Sequence, residues 1–128
     1  MEEELVPKSN RKRIFINFSN HPSAEWEESQ RKAAEAYGEI VDMEFPSVDP
    51  QEDEHYIAEM AAFYLEKILE LEPYAVLCQG EFCLVYRLVS LLKANRITVL
   101  AACSRRMVEM KDGKKVASFQ FSRFRPYL

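Results

Sequence analysis

Ala75-Val76-Leu77-Cys78-Gln79-Gly80-Glu81-Phe82 decides the fold: a short apolar run breaks into a polar turn that leads straight into a helical pattern. Four apolar residues suit a strand covered on both faces, so the turn reads as a strand-to-helix loop. The same grammar stands at Ile14-Phe15-Ile16-Asn17-Phe18, before Ser19-Asn20-His21-Pro22-Ser23. A third run, Thr98-Val99-Leu100-Ala101-Ala102-Cys103, breaks into Ser104-Arg105-Arg106. In an open parallel sheet such loops gather along the edge where ligands bind.

Working outward, Ser23 is placed to cap a helix whose first turn holds Glu25, Glu27 and Glu28, where the helix dipole favours negative charge. A strand is expected over Glu39 to Phe45, stopped by Pro46. Asp49-Pro50-Gln51-Glu52 has the form of a helix start, with a capping carboxylate, a proline at the first helical position and a glutamate three residues on. That helix should run to about Leu71 with Ile57, Ala61, Tyr64, Leu65 and Ile68 as its core stripe, while Tyr56, Met60 and Phe63 form a second apolar line. Phe82 to Ala94 is apolar nearly all round, which predicts a helix buried against the sheet on one side and a second copy of the chain on another. After a fourth strand ending at Cys103, Met107 to Lys111, an Asp112-Gly113 turn and Lys115 to Phe124 read as a hairpin. The expected fold class is α/β: a Rossmann-like, mainly parallel sheet with helices on both faces and a C-terminal β-hairpin. Right-handed crossovers would set the first and third strands side by side, so that the Ser19 and Gln79 loops face one crevice.

The 128 residues, 48% of them hydrophobic, suffice for one domain with a core of its own, here expected over residues 14–128 behind a flexible leader, 1–13. No apolar run approaches the ~20 residues of a membrane helix, and the acidic Met1-Glu2-Glu3-Glu4 is unlike a signal peptide; a cytoplasmic protein that does not contact membranes is expected. The three cysteines match no zinc or redox spacing and read as small buried apolar residues, and neither histidine has a ligand partner, so no metal and no cofactor are expected. Charge is divided: Ile14 to Glu72 carries 15 acidic and 3 basic residues, and Arg105 to Arg125 carries 7 basic and 2 acidic. The acidic half would repel a long polyanion, which argues against duplex nucleic acid, while the basic segment could attract a phosphate-bearing ligand or be plain solvated surface.

Within the expected crevice, Ser19, Asn20 and Ser23 offer short polar groups beside a helix N-terminus, where an anion can be held. Gly80 would let a ligand approach the backbone closely. Its neighbour Glu81 would repel a phosphate unless it turns away or hydrogen-bonds a base or ribose. Arg105 and Arg106 are the cations best suited to grip phosphate, and His21 is the one imidazole available for proton transfer. Candidates for chemistry are therefore Ser19, His21, Arg105 and Arg106; candidates for ligand contact are Asn20, Ser23, Gln79, Gly80, Glu81, Phe82 and Ser104. Each also has a plain reading as loop, cap or surface residue.

The segments Asn17-Phe18-Ser19-Asn20-His21-Pro22-Ser23, Tyr37-Gly38-Glu39-Ile40-Val41-Asp42 and Gln79-Gly80-Glu81-Phe82 resemble those of small stand-alone CRISPR-associated proteins related to CARF domains and ring nucleases. The resemblance implies a homodimer that binds a cyclic oligoadenylate second messenger of type III CRISPR signalling, and a metal-independent ring nuclease that opens it to end an antiviral signal. Ser19 and Asn20 match that group's polar loop after the first strand, and Gln79 with Gly80 match its later turn; Glu81 stands where many CARF domains carry lysine or threonine. A ribose 2′-OH would attack its neighbouring phosphate, with Ser19 and Asn20 positioning it, Arg105 or Arg106 neutralising charge, and His21 as an optional acid or base. Two other readings are open: a non-catalytic sensor of the same ligand, and an unrelated nucleotide or nucleoside enzyme using Glu81 as acid or nucleophile.

Overall fold

The computed structural model describes residues 12–128. The expected leader therefore lies almost wholly outside the described residues. Its last two members are engaged: Lys12 pairs with Glu39 at 3.4 Å, and the Arg13 guanidinium lies 4.1 Å from the centre of the Tyr74 ring.

Five strands and three α-helices follow one another as β1 (Ile14–Ser19), a 3-10 turn (Ser23–Glu25), α1 (Glu28–Glu35), β2 (Glu39–Glu44), α2 (Glu54–Glu70), β3 (Ala75–Cys78), α3 (Phe82–Ala94), β4 (Thr98–Lys111) and β5 (Lys114–Pro126). They build a single sheet of order β2-β1-β3-β4-β5, parallel throughout except that β5 runs antiparallel to β4. The fold is thus α/β, with a mostly parallel sheet, helices on both faces and a C-terminal hairpin. The first and third strands are neighbours, so the chain winds away from them in opposite directions and the switch point falls between β1 and β3.

Both central strands are largely apolar because both of their faces are covered, with Asn17 and Ser19 of β1 the exceptions. Ile16, Phe18, Val76, Cys78 and Val99 pack against Ala61 and Ile68 of α2 and Leu84, Leu88 and Leu92 of α3. On the opposite face Phe15, Leu77, Leu100 and Phe124 pack against Ala34 of α1, with Trp26 and Tyr37 closing the cluster. Phe15 is ringed by Phe124, Tyr37 and Trp26 at 5.3, 5.9 and 6.4 Å between centroids. Each buried aromatic of this kind stabilises by about 1.5–3 kcal/mol through area alone.

Local details differ from the sequence expectations in three places. Ser23 caps no α-helix: its N–H and hydroxyl are taken by Asp42, and the chain makes a 3-10 turn and an extended Trp26 before α1 begins at Glu28. The second helix starts at Glu54 rather than near Asp49, because the Asp53 carboxylate accepts the His55 and Tyr56 N–H groups; Asp49 shapes a turn through the Gln51 N–H. The side of α3 expected to meet a second copy carries Phe82 and Tyr86, 88% and 78% exposed in the single chain. Cys78 alone of the cysteines is fully buried, where lack of solvation pushes its thiol up to about 12, whereas Cys103 is half-buried and Cys83 exposed.

The largest departure lies at the C-terminus. Ser104-Arg105-Arg106 is no loop: β4 continues unbroken from Thr98 to Lys111 and pairs with β5 to the Asp112-Gly113 turn, where both residues have positive φ, 52° and 76°. Pairing with β3 ends at Leu100, so the outer parts of β4 and β5 leave the sheet as a free ribbon, projecting about 30 Å past its C-terminal edge. A one-residue bulge between Cys103 and Ser104 marks its base.

Candidate functional site

The C-terminal edge of the parallel strands carries two concavities, one on each face. On the α1 face lies a crevice of about 530 Å³ lined by Ser19, His21, Glu25, Trp26, Glu27, Gln30, Leu77, Gln79, Ala102, Ser104, Phe119 and Phe121. Between the N-terminal ends of α2 and α3, on the other face, lies a groove of about 740 Å³ lined by Val48, Asp49, Pro50, Glu52, Asp53, Glu54, Ile57, Ala58, Glu81, Phe82, Cys83, Tyr86 and Arg87.

Side-chain alternation explains the division. Phe15, Asn17 and Ser19 of β1 and Ala75 and Leu77 of β3 point to the α1 face, and Gln79 follows them. The next turn residues go the other way. Gly80 is packed under the Phe45 ring, which would lie 2.5 Å from a Cβ added there, so this glycine makes room for a phenylalanine rather than for a ligand. Glu81 caps α3, its Oε1 accepting the Leu84 N–H at 2.7 Å, and Phe82 opens that helix. The Glu81 carboxylate also raises the thiol of exposed Cys83 by like charge. Gly80, Glu81 and Phe82 are therefore separated from the crevice that holds Ser19 and Gln79.

The crevice floor is held by a network that the sequence reading did not identify. Asn17, buried within β1, donates to Asp42 Oδ1 at 3.0 Å and to the His21 carbonyl at 2.9 Å. Ser19 donates to Asn17 Oδ1 at 2.6 Å and accepts the His21 N–H at 3.2 Å. Trp26 Nε1 donates to the same His21 carbonyl at 3.1 Å, and Asp42 Oδ2 takes both the N–H and the hydroxyl of Ser23. With these partners Ser19 and Ser23 serve first to fix the loop, leaving the His21 ring exposed at the crevice and Asn20 exposed at the loop apex. The signal for this network was legible in one respect: Asn17 is a polar residue in a buried strand, which demands a partner, and β1–β2 register sets Asp42 directly opposite.

Gln79 Oε1 accepts the Ala102 N–H just past the last β3–β4 pair, so the side chain prolongs the ladder and holds β4 at the crevice wall. Glu27 Oε1 accepts the Phe121 N–H at 3.2 Å and ties the start of α1 to the ribbon base. Strand register then distributes the arginines. Arg106 pairs with Phe119 on the face carrying Ser104 and Phe121, one step outward from the crevice; Arg105 pairs with Gln120 on the opposite face. Among the described residues no lysine or arginine lines the crevice, while Glu25 and Glu27 do. Among the described residues no group of three His, Cys, Asp or Glu side chains is arranged to hold a metal ion. Among the described residues no helix is long and apolar enough to cross a membrane.

The chain matches the family described as "Uncharacterized protein MJ1673 family" over residues 13–125. It belongs to that family. The match spans all of the sheet but the last residue of β5, both concavities and the whole ribbon. No curated protein and no solved structure matches the chain.

Proposed function

We propose that this member of the MJ1673 family is a homodimeric ring nuclease that binds a cyclic oligoadenylate at the α1-face crevice and opens it without a metal. The observation that carries the reading is the crevice itself: aromatic rings of Trp26, Phe119 and Phe121 stand beside the polar groups of His21, Gln79 and Ser104 at the switch point of a parallel sheet. Rings of this kind stack on adenine, worth about 1–3 kcal/mol per base, and the polar groups can meet base edges, ribose and phosphate.

In the reaction a ribose 2′-OH attacks the adjacent phosphorus, the bond to the 5′-oxygen breaks, and a linear chain with a 2′,3′-cyclic phosphate and a 5′-hydroxyl results. No water or cofactor is consumed. His21 would take the 2′-OH proton or return one to the departing oxygen, and Arg106 would lean in to neutralise the phosphorane. Ser19 acts by holding the His21 loop. Arg105 would reach the ligand only from a second copy, because its own face of the ribbon is turned away.

Incubating the chain with cyclic tetra- and hexa-adenylate in EDTA, followed by chromatography and mass spectrometry, should yield linear products of unchanged mass. Intact rings together with no heat of binding would overturn the reading. His21→Ala should slow opening by about 10²–10⁴-fold if the imidazole moves a proton. One observation favours a sensor instead: no cation among the described residues lines the crevice. Tight binding with the ring recovered intact would select it. Use of Glu81 as a nucleophile is disfavoured by its capping bond, and Glu81→Gln should leave ring opening intact.

A further inference from the structure

We infer that the ribbon of one copy seats in the α2–α3 groove of a second copy, so that two chains exchange arms about a two-fold axis. This deepens the homodimer assumed above, but its test needs no nucleotide and can fail independently of the ligand reading.

A two-stranded ribbon standing alone in water is marginal at best. Outward of Phe119, which belongs to the crevice, it presents Val108 and Met110 on one face, 50% and 65% exposed, aligned by the Val108–Ala117 and Met110–Lys115 pairs. Apolar side chains held out on so long a projection call for a cover, and the body of the same chain cannot supply one, since the ribbon points away from it. The groove has the matching need. Phe82 and Tyr86, one helical turn apart on α3, are its most exposed aromatic residues, and the apolar floor is rimmed by acidic residues.

Charge selects the pairing. From Ser104 to Ser122 the ribbon carries five basic and two acidic residues, with Lys111, Lys114 and Lys115 at its tip. The groove is lined by five carboxylate residues and one arginine. An apolar strip edged with cations therefore meets an apolar trough edged with anions, complementarity of the kind that fixes partner and register. Both features sit at the C-terminal edge of the sheet, because parallel strands deliver the α2 and α3 N-termini to the edge from which β4 departs. Two copies facing each other by this edge make an isologous contact, ribbon to groove and groove to ribbon.

The test is the mass of the full chain in solution by light scattering or sedimentation at tens of micromolar, together with charge exchange. The wild type should be dimeric. Lys114→Glu/Lys115→Glu should weaken association about tenfold or more, and Glu52→Lys/Glu54→Lys should do the same. An equimolar mixture of the two variants should restore association, since one ribbon–groove contact is then wild type and the other sets the glutamates introduced at 114 and 115 against the lysines introduced at 52 and 54. In a Met110→Cys chain, a short bis-maleimide should bridge the ribbon to exposed Cys83 between copies, and Cys83→Ser should abolish that bridge. A monomeric wild type, a dimer indifferent to both reversals, or variants that stay monomeric when mixed would overturn the inference. So would a monomer whose ribbon reversal abolishes retention of RNA, which would make nucleic acid the ribbon's partner.

Discussion

β1 and β3 are short and sealed on both faces, whereas the outer parts of β4 and β5 run long with neither face covered. All four belong to one sheet. The sealed pair gains its stability from packing and can tolerate a polar group only when that group is fully partnered, as Asn17 is. The free ribbon gains little from packing within the chain, so its side chains are free to serve contacts outside it. Residues that hold the molecule together and residues available for recognition are thereby divided along single strands, with the bulge after Cys103 close to the boundary.

The sharpest way to break this contrast is to damage the sealed side. Phe18 is fully buried, its ring 5.0 Å from Phe45 and 5.1 Å from Tyr64, and Phe18→Ala should cost about 3–5 kcal/mol in urea unfolding. Gly80→Ala sets a methyl group against the Phe45 ring and should cost about 1–3 kcal/mol, with partial recovery in Gly80→Ala/Phe45→Leu if the ring is the obstacle.

Cys78 gives the contrast a pH dependence. Its thiol stays protonated to about 12 in the folded chain but ionises near 9 once unfolded. Between those values the unfolded state binds fewer protons, so stability falls as pH rises, by at most about 1.4 kcal/mol per pH unit. Unfolding measured from pH 8 to 10.5 should therefore show a steeper alkaline loss in the wild type than in Cys78→Ala. The smallest effect belongs to the ribbon: Phe119→Ser should change the unfolding free energy of the dilute chain by no more than about 0.5 kcal/mol. A loss approaching that of Phe18→Ala would show that the ribbon is part of the core after all.

Particular residues show how far the chain could be read in advance. The apolar runs at Ile14, Ala75 and Thr98 marked three strands because continuous burial leaves a continuous apolar record, and Asp112-Gly113 marked the hairpin turn because both its residues must take positive φ. Asp53, not Asp49, caps α2, although both have suitable side chains; which carboxylate meets the helix depends on where the sheet fixes Phe45 and Val48. Ser23 lost its helix because Asp42, 19 residues away, claims it. The unbroken β4 was hidden for a different reason: exposed on both faces, Ser104 to Lys111 has no buried side to impose an apolar alternation.

From its sequence alone this chain already fixes its class, the pairing of its first and third strands and the edge where Ser19, His21 and Gln79 meet, because burial and turn chemistry are local and periodic. Which way each side chain on that edge faces, and that Gly80 and Glu81 turn from the crevice while Arg106 stays beside it, came from tertiary structure. Those outcomes rest on strand register, and register is a contact between residues far apart in the chain.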